Sequence, residues 1–291
     1  MSDVPKVSIV IAAYRSRPQH LDMAVASALA QTWQEIEVIV SDDSPDEALG
    51  ARVAAYRDPR LCYRHNRPAL GVACNHWQAF ATATGDFLVV LNHDDWLAPT
   101  FVERLLAPLR RDPHLTLAFC DHWVIDVAGE RQPAQTEANT RQWGRDRLAE
   151  GLHRPFGPLV AMQTIPIAMG TLFRRAALPA ALPGDAGPAY DLWLGYLLAR
   201  GGGGAWFVRE RLSAWRSHDG NLSTAGGLDW LQGAATCWQA IAQDPGFAAQ
   251  HRLARRRAAQ SWRGCARQAW RLGQRGRGLQ LAWRAVLAGL R

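Results

Sequence analysis

The 291-residue chain has no CxxC pair, no GxGxxG after a strand-like run, and no apolar stretch near the roughly 18 residues that a membrane span requires. Its five cysteines, Cys62, Cys74, Cys120, Cys237 and Cys265, are odd in number and scattered. Neither a disulfide framework nor a thiolate zinc site is indicated, and the cysteines read as buried thiols. Without the glycine fingerprint a dehydrogenase is disfavoured. The opening residues, MSDVPKVS, lack the basic and apolar regions of a secretory signal, so the expectation is a cytoplasmic protein. Acidic residues are missing from 251–291, where 11 arginines fall. Of the formal net charge of +7, the other 250 residues therefore carry −4. A mildly acidic body argues against a nucleic-acid-reading core.

With 48% hydrophobic residues, the chain can bury a substantial core as one α/β domain, alone or with a small appendage. The first half alternates the two kinds of signal. Strands are expected at 7–14, 36–41, 61–65 and within 86–91, with helices carrying Leu21, Val25, Ala28 and Leu29, then 71–84, then 99–111. Such alternation predicts a mostly parallel sheet with helices on both faces and ligands at the carboxyl ends of the strands. Further strands are expected at 115–126, 170–174 and 205–215, with a helix at 189–200 and a turn at Gly201–Gly204. The polar segment 127–165 reads as a long loop with one short helix. From Leu228 the pattern is helical to the end, Leu253, Ala258, Trp262, Ala266 and Ala269 sharing one face among arginines. This basic tail could dock on the body, pair with another subunit, or lie on anionic lipid.

In DFLVVLNHDDWL, residues 86–97, a buried-strand run ends in two adjacent carboxylates. Neighbouring anions repel, and a site that keeps them together usually supplies a cation, most often a hard divalent metal. Asp42 and Asp43 end the second strand in the same way, although DDSPD alone is equally a turn in which an Asp side chain caps the loop.

The ordered set VSIVIAAY, Asp42-Asp43, HNRPALGVACN, LNHDDWL, YDLWL and WRSHDGNLS resembles the family 2 glycosyltransferases over residues 5–225. These are inverting enzymes of the GT-A fold that use nucleotide-activated sugars. The resemblance implies a Rossmann-like sheet in a domain spanning 1–225, with 1–112 mainly for the nucleotide and 113–225 mainly for the acceptor, and a basic helical extension at 226–291. It places Asp43 against the base, with Ala13 and Tyr14 beside it, and Asn66, Gly71 and Asn75 near the diphosphate or ribose. Asp95 becomes the main ligand of Mn²⁺ or Mg²⁺, with Asp94 on ribose or metal, His218 as a further ligand, and Arg216 offsetting phosphate charge. Asp191 becomes the base that takes the acceptor's proton.

The donor so implied is a UDP, dTDP or GDP sugar, and the acceptor a hydroxyl of a carbohydrate or lipid-linked glycan, with no nucleic acid involved. The many tryptophans, among them Trp96, Trp123 and Trp143, suit an acceptor side. The chain departs from the family at Asn92, where Asp is common, and at Pro188 and Ala189, where Glu and Asp are common; Asp185 is then an alternative base. These departures keep open a nucleotide-sugar-binding module without catalysis. A sugar nucleotidyltransferase is the other alternative, although AAYRSRPQ has no glycine for the loop that class needs.

Overall fold

The computed structural model describes residues 4–181, 183, 186–218 and 227–290. A nine-stranded sheet runs in the order β3-β2-β1-β4-β8-β6-β9-β5, with β7 paired to β9. Four parallel strands form one half: β1 (Val7–Ala13), β2 (Ile36–Asp42), β3 (Leu61–His65) and β4 (Phe87–Asn92). Next to β4 lies β8 (Thr171–Arg174), antiparallel to it and to β6 (Leu115–Ile125) on its other side. Because β6 pairs in parallel with β9 (Gly204–Arg216), six of the nine strands point one way. The short β5 (Trp96–Leu97) and β7 (Gly151–His153) pair antiparallel with β9. The mostly parallel α/β sheet expected from the sequence is therefore what the chain forms.

Alternate residues of each central strand enter different cores, which is why these runs are apolar without a polar phase. Ile9, Ile11, Val89 and Leu91 pack with α1 (Pro18–Leu29), α2 (Ala48–Ala54) and α4 (Phe101–Arg111). Val10, Leu88 and Val90 pack with α3 (Val72–Thr82), α6 (Gly157–Ala161) and α7 (Tyr190–Arg200). The buried residues of α1, Leu21, Ala24, Val25 and Ala28, recur at the helical spacing of one face.

Two segments differ from expectation. The short α2 has no counterpart in the sequence reading. Within 127–165 there are two helices, α5 (Pro133–Gln142) and α6, together with β7, where one short helix was expected. The helix α5 shows no apolar face because its inward contacts are polar. Thr136 Oγ1 accepts from Val124 N (3.0 Å) and Thr140 Oγ1 donates to Asp121 Oδ2 (2.8 Å).

The C-terminal helices are α8 (Leu228–Gln243), α9 (His251–Arg271) and α10 (Arg275–Leu290). Ala258, Trp262, Ala266 and Ala269 are buried together as the periodicity predicts, in the same apolar cluster as Leu88 and Val90 of the sheet. No described helix is long and apolar enough to cross a membrane.

Candidate active site

The carboxyl ends of β1, β2 and β4 lie side by side, since Ala13 pairs with Asp42 and Ala12 with Asn92. Asp42 turns inward: Oδ1 accepts from Ser44 N and Oδ2 from the Tyr63 hydroxyl, each at 2.8 Å. Asp43 stands one residue further along and lines a cavity of about 630 Å³ with Ala13, Tyr14, Gly71, Asn75 and Asp94. Its Oδ1 accepts from Asn66 Nδ2 (2.8 Å), and its Oδ2 from the backbone N–H groups of Leu70 (3.1 Å) and Gly71 (2.8 Å). The carboxylate thus clamps the loop that opens α3. Gly71 has φ +82°, a backbone conformation that disfavours side chains. Asn75 donates to Ser41 O (3.0 Å) and accepts from Asn66 (3.0 Å), which ties α3 to the β2 tip. Asn66 is buried behind this wall, and its own Oδ1 has no hydrogen-bond partner. Tyr14 is 52% exposed at the rim, with the Arg15 guanidinium 5.3 Å from its ring.

At the β4 tip the two adjacent carboxylates separate. Asp94 faces the cavity, where its Oδ2 lies 2.8 Å from His218 Nε2. Asp95 is 0% exposed and faces the protein. Its Oδ1 accepts from Arg216 N (2.8 Å) and its Oδ2 from Asn92 Nδ2 (2.7 Å). Burial, with the Asp94 charge adding to it, pushes the Asp95 carboxyl well above the usual carboxylate range. Asn92, one of the departures noted above, supplies a donor to Asp95 where a third carboxylate would repel it. Arg216 is also fully buried. Its guanidinium donates to the carbonyls of Asp94 (2.8 Å), Asp126 (2.8 Å) and Val127 (3.1 Å), bracing the loop rather than facing the cavity.

Asp191 sits in the first turn of α7, half-buried, with Leu192 N–H donating to its Oδ1 at 2.8 Å. Burial raises its carboxyl above the ordinary value. It lines the first cavity and also a second, of about 550 Å³. The two share Asn92, Ala168, Asp191, Trp215 and Trp230, and the second adds Trp143, Asn139, Gln142 and Gln163. Asp185, the alternative base, lies outside the described residues.

Several cavity residues were not singled out from the sequence. His76 stacks on Tyr190, ring centroids 3.9 Å apart, and burial pushes its imidazole down to about 4. Its place one residue after Asn75 in α3 was a usable signal. Trp230 arrives from α8 and Trp215 from β9, which no local pattern announces. Beside Asp94 and His218, a third groove is lined by Arg15, Arg17 and His20.

As for a metal, no group of three or more His, Cys, Asp or Glu among the described residues is arranged to hold one. Asp94 and His218 still offer an adjoining carboxylate oxygen and imidazole nitrogen at a cavity wall. That pair fits an octahedral ion of the Mn²⁺ or Mg²⁺ kind, which commonly takes few protein ligands and completes its shell with phosphate oxygens and water.

Comparison with known proteins agrees with this architecture. ExoO of Rhizobium meliloti, a succinoglycan biosynthesis protein, is 38% identical over 106 residues, which are 35% of this chain and 29% of ExoO. The chain thus spans under a third of that relative's length. TarS 1-349 of S. aureus superimposes with TM-score 0.67 at 14% identity, covering 97% of this chain and 80% of TarS. The mannosyltransferase PcManGT of Pyrobaculum calidifontis, solved with GDP-Man and Mn²⁺, gives TM-score 0.61 at 17% identity over 98% of this chain and 80% of its own. Both share the GT-A fold. The model of the family described as "Glycosyl transferase family 2" matches residues 8–173, more than half of the chain. The chain belongs to glycosyl transferase family 2.

Proposed function

We propose that this chain transfers a sugar, with inversion, from a nucleoside diphosphate sugar to a hydroxyl of a carbohydrate or lipid-linked acceptor in glycan or polysaccharide assembly. The observation that carries this reading is the position of Asp191, at the junction of two cavities whose first wall bears Asp94 and His218. The relatives support it, since ExoO is a succinoglycan biosynthesis protein and PcManGT was solved with GDP-Man.

In this reading the nucleoside lies between Tyr14 and Asp43, and the diphosphate runs toward Asp94. Arg15 and Arg17 offset its charge, the task that the sequence suggested for Arg216. A divalent ion held by Asp94 and His218 would neutralise the charge that grows on the departing diphosphate. Asp94 takes the ligand role expected of Asp95, because Asp95 spends both oxygens inside the protein. The acceptor ring lies in the second cavity. There the faces of Trp143, Trp215 and Trp230 suit sugar C–H surfaces, and the amides of Asn139, Gln142 and Gln163 suit hydroxyls.

Asp191 orients the acceptor hydroxyl and receives its proton as that oxygen bonds to the anomeric carbon. The bond from that carbon to the diphosphate oxygen breaks on the opposite side, and its electron pair leaves with the nucleoside diphosphate. A carboxyl raised by burial is a stronger base for this transfer than an exposed one.

Calorimetry with UDP, GDP and dTDP in the presence of Mn²⁺ should show heat with at least one, and Asp94→Ala should abolish it. The Asp191→Asn variant should bind the donor as before while turnover falls about 10²–10⁴-fold. No heat with any nucleotide, together with unchanged turnover in Asp94→Ala, would overturn the reading. Pro188 lines the donor cavity at a position where the family resemblance implies an acid, which favours a binding module without catalysis as the second reading. Product formation that depends on Asp191 rejects that alternative.

A further inference from the structure

The last helix has two apolar faces and uses one. Gly278, Leu281, Ala285 and Ala288 are buried, at the spacing of a single helical face. On the opposite side Leu279, Trp283, Val286 and Leu287 are 66%, 63%, 48% and 38% exposed. At 3.6 residues per turn, positions i, i+4, i+7 and i+8 form a continuous stripe. Trp270 and Leu272, at the end of α9 where the hairpin turns, are 45% and 58% exposed. Gly278 packs against the Trp270 indole so closely that a Cβ there would come within 2.2 Å of Nε1, which fixes the ring at the tip.

The polar surface around this stripe carries one sign of charge. Arg263, Arg267, Arg271, Arg275, Arg277 and Arg284 are exposed along the hairpin, and no Asp or Glu occurs after Asp244. A second copy of the chain laid on this face would bring two such arginine sets together without counter-charge. A surface that is apolar below and anionic above satisfies both features.

We infer that the α9–α10 hairpin lies on an anionic bilayer surface, with Leu279, Trp283, Val286 and Leu287 entering the headgroup boundary and the arginines holding lipid phosphates. Tryptophan is favoured at that depth because its ring is apolar and its N–H is not. The inference stands apart from the reading of the active site.

Flotation of the full chain with vesicles tests it. The protein should float with phosphatidylcholine vesicles containing phosphatidylglycerol, and stay at the bottom with phosphatidylcholine alone or in high salt. Replacing Arg271, Arg275 and Arg277 together by Gln should weaken partitioning about a hundredfold. A double change, Leu279→Ser with Trp283→Ser, should weaken it at least about tenfold while the thermal midpoint, set by the opposite face, stays in place. No flotation of the unaltered protein overturns the inference, as does equal flotation of both variants. A concentration-dependent dimer that the serine variant abolishes, without vesicle binding, would give the face to a second copy and overturn it equally. Should the serine variant fail to fold, the glutamine variant decides.

Discussion

Asp94 and Asp95 are neighbours with opposite surroundings. The sequence shows that two carboxylates leave a buried strand at this point, and strand logic does show which end of the sheet they occupy. It does not show which one turns inward, because that depends on Arg216 and Asn92. One of these donors is 121 residues away from Asp95. His76 illustrates the same difficulty. A lone histidine in a helix gives no sign of its environment, yet here it is 4% exposed against Tyr190. Burial lowers its imidazole to about 4 from the usual 6.5, so it is neutral in the folded protein near neutrality. Between pH 6.5 and 4 the unfolded chain binds the proton that the folded chain refuses. Stability contributed by the neutral ring is complete above pH 6.5 and is lost as the pH falls through that window, by about 3 kcal/mol at its lower end. Urea midpoints at pH 7 and pH 4.5 should therefore differ, and His76→Phe, which keeps a ring against Tyr190, should shrink the difference.

At the scale of elements, the strands and long helices were legible because apolar periodicity and burial coincide in them. The helix α5 was not, because threonine hydroxyls replace methyl groups as its anchors. Neither was α2, seven residues long and too short for a periodic pattern to stand out. The α8 helix carries a consequence for function. Its first turn delivers Trp230 to both cavities, although α8 belongs to the stretch that the sequence suggested as an extension beyond the catalytic domain. Trp230→Ala should raise the acceptor KM about fivefold, since the ring supplies on the order of 1 kcal/mol of stacking on a sugar face. Donor affinity, measured by calorimetry, should change less, because Tyr14, Asp43 and the α3 opening remain.

For the whole molecule, the sheet's inner face and the C-terminal helices bury one shared apolar cluster. Trp262, 1% exposed, is the largest of its fully buried side chains. Trp262→Ala should cost about 3–5 kcal/mol, the range for truncating a buried aromatic. If body and tail are one cooperative unit, far-UV circular dichroism and tryptophan fluorescence will report the same lowered midpoint, and a separate early transition of the tail would contradict it. Overall architecture was readable from the sequence to this extent: the shared direction of the parallel half follows from βα alternation, whereas its order, with β4 beside β1 and not beside β3, does not. The antiparallel insertion of β8 between β4 and β6 does not, since a four-residue strand records nothing of its neighbours.

Trp230 reaches the wall of both cavities from the helices that follow the sheet, so under the proposed function recognition of the sugar to be extended would not be confined to the half of the chain proposed to hold the nucleotide. A chimaera that took everything from Leu228 onward out of a relative would import part of that relative's preference for what is elongated. The identity of the activated sugar would stay with the recipient.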